Sequence, residues 1–146
     1  MYFVNRSDIN KRLDYIDTLF QYIEEQKTFG SSLEKLALER ITHVMIEAII
    51  DVGNMMIDGF IMRDPGSYHD IIDILIDENV LPKDHEKSYK ALIDLRRMLV
   101  QTYLQVDHAE IEKVLNSHKE VLKQFSLHIR TYLDNELGVA HAFSNE

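Results

Sequence analysis

Residues 111–132 read IEKVLNSHKEVLKQFSLHIRTY, and in them Ile111, Leu115, His118, Leu122, Phe125, Ile129 and Tyr132 recur at alternating intervals of four and three. A helix turning every 3.6 residues gathers such positions on one stripe, whereas a strand needs alternation by two. The same rhythm stands near the other end of the chain in Ile9, Leu13, Ile16, Phe20 and Ile23. Two packing seams so far apart predict a helical bundle. Ser7 or Asp8 is placed to cap the first helix, Asp107 with Glu110 to open the last, and Gly138 to stop it, leaving a loose tail from about residue 139.

Between these ends, Ser31 and Glu34 form a capping-box pattern for a long second helix that runs to about Gly59 or Ile61. Its apolar residues (Leu36, Ile41, Val44, Met45, Ala48, Ile49, Val52, Met55 and Met56) cover most of the circumference, which predicts a central position. A narrow polar stripe remains in His43, Glu47, Asp51, Asn54 and Asp58. Asp58 reads as a solvent edge. Glu47, Asp51 and Asn54 either share that edge or face a cationic helix and balance its charge. Arg63-Asp64-Pro65-Gly66-Ser67 is a turn, followed by a short helix over about 68–79. Its run of isoleucines is compatible with a strand, but no partner strand occurs elsewhere. Pro82 suits the first turn of a fourth helix carrying Leu92, Leu95 and Leu99. The expected fold is all-α, four long helices and one short one, in a single domain over residues 1–146.

Composition narrows the function. The chain has 146 residues, no cysteine and a net charge of -9. That excludes disulfides, thiolate catalysis and zinc–thiolate sites, and it disfavours general coating of nucleic acid. The opening MYFVNRSD lacks a secretory apolar core, and no apolar run reaches membrane-spanning length, so the expected location is the cytoplasm, with no membrane association. Phosphate-binding glycine loops, G-x-S-x-G, H-E-x-x-H and paired Glu-x-x-His motifs are all missing. No cofactor or metal is expected. His43 and Glu47 are spaced to share a metal, but read more simply as exposed neighbours. His118 reads as a hydrogen-bonded seam histidine, and His69, His85, His108, His128 and His141 show no convincing partners.

One constellation carries chemistry. Arg96 and Tyr103 are seven residues apart in RRMLVQTY, residues 96–103, close to two helical turns, so they are expected on one face with Leu92 and Leu99. A guanidinium on a packing stripe keeps its charge and must be paired or must line a wet cleft. Arg97 beside it makes a local basic spot able to accept RNA.

This segment resembles the motif of HepT-like proteins in the HEPN superfamily: an arginine, a polar residue, three further positions, a histidine, any residue, and a tyrosine. Arg96, Arg97 and Tyr103 take the corresponding places. Gln105-Val106-Asp107-His108 is similar to the family's continuation, residues 47–52 to its second-helix signature, and residues 64–68 with 71–75 to the segment before its motif helix. The likeness spans about residues 33–130. It implies a homodimeric bundle that cuts RNA without metal at the subunit interface, and a small nucleotidyltransferase antitoxin that attaches AMP to the motif tyrosine, here Tyr103.

The departure is Gln101, which stands where the family has histidine. Such cleavage needs a group that takes the 2′-hydroxyl proton; imidazole titrates near neutral pH, whereas an amide only orients or donates hydrogen bonds. Losing a general base costs about a hundred- to ten-thousand-fold in rate. Three readings follow. The first is a toxin ribonuclease, active or weakened at Gln101, with Arg96 holding phosphate, Gln101 positioning water or the 2′-hydroxyl, and Tyr103 stacking or being modified. The alternative is a catalytically degenerate module that binds RNA or a partner. The third is an assembly protein in which Arg96 merely pairs with Glu47 or Asp51.

Overall fold

The computed structural model describes the backbone of residues 3–141 and the side chains through 138. Six α-helices occur in it: α1 Arg6–Glu25, α2 Ser32–Gly59, α3 Tyr68–Asp77, α4 Glu86–Val100, α5 His108–Leu122 and α6 Phe125–His141, with a 3-10 turn Lys83–His85 leading into α4. No strand occurs among the described residues.

Helix α1 buries Ile9, Leu13, Ile16, Phe20 and Ile23 as the spacing requires, although its cap is Asn5, two residues before the expected Ser7, accepting from the Asp8 N–H at 3.0 Å. In α2 the capping box is complete: Ser31 Oγ accepts from the Glu34 N–H, and Glu34 Oε1 accepts from the Ser31 N–H at 2.9 Å. This helix is the central one, packed against α1, α3, α4 and α5. Leu36 departs from the expected apolar surface and is exposed. Gly53 lets α3 approach closely, since a Cβ there would stand 2.5 Å from Ile71 Cγ2.

Two expectations fail in instructive ways. The seam over residues 111–132 belongs to two helices: the ladder breaks at Lys123 and Gln124, and α5 packs on α4 while α6 turns to pack on α1. Spacing reports which face is buried, and both sides of the break bury the same kind of face. Phe125 and Ile129 stay on the expected face, but the next step is four and not three, so Leu133 is buried where Tyr132 was expected, and Tyr132, half-buried, meets Phe60 edge-on at 5.1 Å. Ser126 donates to Asp17 at 2.8 Å, Arg130 pairs with Asp14 at 2.7 Å, and Arg6 pairs with Asp134, fastening α6 to α1.

The second failure is at α6's end. The helix continues through Gly138 to His141, with open space around the glycine. The remainder of the expected loose tail, and the His141 side chain, lie outside the described residues. No helix of the described residues is long and apolar enough to cross a membrane.

Candidate functional site

The motif arginines sit in the last turns of α4. Arg96 points back toward α2, where its Nε donates to Glu47 Oε1 at 2.6 Å. Its guanidinium also lies over the ring of Tyr68 at the start of α3, with Cζ 4.7 Å from the ring centre. The Glu47 bond pushes the Arg96 pKa above its ordinary value against the opposing effect of burial, so the group is a fixed cation. Only Nε is used by Glu47, which leaves the terminal amino groups as donors.

Arg97 is exposed, and among the described residues no carboxylate forms an ion pair with it. It lines an open groove of about 430 Å³ between α3 and the end of α4, together with Ser67, Tyr68, His69, Asp94, Arg96 and Gln101. Two guanidiniums beside an aromatic ring in one groove make a place for a phosphate and an adjoining ring.

The α3 side of this groove is rigidly built. Ser67 caps α3 by accepting from the Asp70 N–H at 3.0 Å. Asp70 in turn accepts from Arg63 through both oxygens, at 2.7 and 2.8 Å, and from the Gly66 N–H at 2.8 Å. Arg63 chiefly, and then the Gly66 amide, hold the Asp70 pKa down to about 2. The loop that presents Tyr68 and His69 is therefore tied down around one carboxylate.

Tyr103 departs from its expected place. Helix α4 ends at Val100, with Gln101 as its cap, so Tyr103 lies in the following turn and not on the Arg96 face of a helix. The physical reason is burial: Leu99 is the last residue of α4 in the core, and every residue from Val100 to Gln105 is exposed. A helix without a buried face has little to sustain it. The turn is closed by the Gln105 N–H on Thr102 O at 3.0 Å, the Thr102 hydroxyl on Met98 O at 3.3 Å, and the Asp107 N–H on Met98 Sδ at 3.2 Å. Tyr103 is 65% exposed, which leaves its hydroxyl open to reagents in solvent.

The polar stripe of α2 divides. Glu47 faces α4, as one of its two readings held; Asp51 instead faces α1, where Arg12 Nε is 3.9 Å away. Asn54 is half-buried, and Asp58 is exposed. His43 Nε2 lies 3.6 Å from the same Glu47 oxygen that Arg96 holds. Among the described residues no group of three or more candidate ligands is placed to hold a metal.

The histidines were underread. His118 does share a hydrogen bond with Ser88, at 2.8 Å. Partners also exist for four in which the sequence shows none: His69 meets Asp94 at 2.6 Å, His108 meets Glu39 at 2.8 Å, and His85 and His128 stack at 5.5 Å. Each partner lies on another element, so no local spacing could have revealed it.

Residues 9–129 match the family described as HepT-like ribonucleases. Over 143 residues the chain is 47% identical to a Bacillus subtilis (strain 168) protein named "Putative RNase YutE", covering 98% of this chain and 99% of that one. The solved structure of YutE, described as a cytosolic protein of unknown function, superposes with a TM-score of 0.92 over 94% of this chain and 96% of that one. A tri-AMPylated Shewanella oneidensis HEPN toxin in complex with an MNT antitoxin shares the fold at a TM-score of 0.63 and 19% identity, covering 86% of this chain and 92% of that one.

Proposed function

Since this chain belongs to the HepT-like ribonuclease family, we propose that it is the toxin of a toxin–antitoxin pair, a homodimer acting in the cytoplasm that cuts RNA without a metal ion, in one domain spanning the chain. The observation that carries this reading is the groove between α3 and α4, where Arg96, Arg97 and Gln101 of the motif meet. Arg97 and the terminal amino groups of Arg96 grip the scissile phosphate and stabilise the charge that develops on it. Gln101, exposed at the cap of α4, orients the 2′-hydroxyl by hydrogen bonding. Glu47 holds Arg96 in place, whereas Asp51 faces Arg12 of α1 instead.

The antitoxin is a nucleotidyltransferase that transfers AMP to Tyr103. Exposure of that phenol on a turn beside the groove supports the assignment, as does the AMPylated state of the Shewanella toxin that shares this fold. A nucleotide attached there brings an extra phosphate and base next to the groove, where they compete with RNA.

The test is cleavage of structured RNAs by the purified protein in the presence of a chelator, with Arg96→Ala as the control. Cleavage lost in the variant is the expected result. Equal, negligible cleavage by both proteins ends the claim of activity. The weakened motif at Gln101 favours one other reading, a degenerate module that binds RNA or its partner; RNA retention by wild type, lost in Arg97→Ala, without cleavage, identifies that case.

A further inference from the structure

Where the motif histidine is missing, the fold supplies two other imidazoles near the arginine pair. His43 lies 3.6 Å from the Glu47 oxygen that Arg96 holds and is not among the groove-lining residues. His69 lines the groove itself, at the start of α3, opposite α4. Its Nε2 is 2.6 Å from Oδ1 of Asp94, which also lines the groove and lies one turn before Arg97. An ionised carboxylate only accepts, so the shared hydrogen belongs to Nε2 and the lone pair belongs to Nδ1. A carboxylate that fixes an imidazole's tautomer beside a pair of guanidiniums is the arrangement that base-catalysed attack on a phosphodiester needs.

We propose that His69 is the general base of this site, with Asp94 as its positioning residue, in the role that Gln101 leaves vacant; the inference rests on the ribonuclease reading above. His69 Nδ1 takes the proton of the 2′-hydroxyl as that oxygen bonds to phosphorus. The bond from phosphorus to the 5′-oxygen breaks, the 5′-oxygen leaves with the bonding pair and gains a proton from water, and His69 later returns its proton to solvent. The products are a 2′,3′-cyclic phosphate and a 5′-hydroxyl.

Neighbouring charges leave the dyad intact. From α4, Arg96 is held by Glu47, and Lys90 is bonded to Asp73 and Glu86. From α3, Asp70 is bonded to Arg63. Arg97 remains as the cation facing substrate. His69 and Asp94 are both well exposed, with side chains 43% and 66% accessible, so replacing them leaves the fold in place; thermal melts check this.

The experiment measures RNA cleavage against pH for wild type, His69→Gln, Asp94→Asn, Arg96→Ala, and His69→Gln combined with Gln101→His. His69→Gln is expected to lower kcat by about a hundredfold or more and to erase the acid limb of the pH profile, with RNA affinity unchanged. Asp94→Asn, which offers the ring a donor and reverses its tautomer, lowers kcat and displaces that limb. Gln101→His restores cleavage in the His69→Gln background by returning an imidazole to the motif position. If His69→Gln cuts at the wild-type rate with an unchanged acid limb while Arg96→Ala is dead, the dyad is wrong and the ribonuclease reading stands. No cleavage by wild type overturns both.

Discussion

Arg96 Nε and Glu47 Oε1 meet at 2.6 Å, joining the motif helix α4 to the central helix α2. The bond does two things at once. It neutralises a cation on a half-buried stripe, and it fixes one edge of a guanidinium whose other edge is left for substrate.

Glu47→Ala is expected to cost about 1 kcal/mol of stability, since the pair is only partly shielded from water. The larger effect falls on activity. A guanidinium released to wander by an ångström loses roughly tenfold to a hundredfold in cleavage rate. Glu47→Gln keeps an acceptor oxygen at the same place and retains most of the rate. Urea melts alongside steady-state cleavage separate the two effects; equal loss in both variants assigns the role to charge and not to placement.

Tyr103 is expected to gain one AMP when the protein is incubated with its cognate nucleotidyltransferase and ATP, read by intact mass. The added mass vanishes in Tyr103→Phe. That variant still folds and cuts RNA, because the side chain stands in an exposed turn outside the groove lining. Modification that persists in Tyr103→Phe assigns another acceptor.

The helices were legible in the sequence because burial imposes a period, and Ile9 to Ile23 or Ser31 with Glu34 carry that imprint locally. The break at Lys123-Gln124 was hidden because neither proline nor glycine marks it, and Leu122 and Phe125 are both in the core on either side. The site was half legible. Arg96, Arg97 and Gln101 are neighbours in the chain, so a motif could show them. His69 and Asp94 are twenty-five positions apart, and only the packing of α3 on α4 brings them together. Tyr103 was misplaced for a different reason: spacing presumes that the helix persists, and α4 ends once its buried face does.

Acid is expected to weaken the fold through His128. Burial first, and then the neighbouring His85, lowers its pKa from the ordinary 6.5. Its Nδ1 and that of His85 are buried without hydrogen-bond partners among the described residues, while Asp77 and Lys83 line the same cleft. As pH falls through 6.5 the unfolded chain takes up this proton before the folded chain does, so stability present above that pH is progressively lost below it. Thermal melts at pH 7.5 and 5.5, as roughly bracketing values around the imidazole range, measure the loss. His128→Gln should shrink the difference between them; an unchanged difference assigns the acid sensitivity elsewhere.

The end of α2 offers a stabilising change and its opposite two residues apart. Ile61 has φ of 56°, in the left-handed region that a β-branched side chain adopts only under strain. It stays there because the helix end is a Schellman motif: the Met62 N–H reaches Ile57 O at 2.9 Å, and the Ile61 N–H reaches Asp58 O at 3.4 Å. Glycine is the residue this position calls for, and the Ile61 side chain is 68% exposed, so little burial is lost by removing it. Ile61→Gly is expected to add about 1 kcal/mol and to raise Tm by about 2–4 °C, with Ile61→Val giving no gain. Gly59 behaves in the reverse way. A Cβ there would stand 2.7 Å from Val4 Cγ2 and 3.2 Å from the Phe3 carbonyl oxygen, at the point where the Phe3 N–H bonds Gly59 O at 3.0 Å. The roughly 1 kcal/mol that alanine offers a helix interior is outweighed by displacing that N-terminal strap, so Gly59→Ala lowers Tm. Melts in which both variants move in the same direction contradict this account of the helix end.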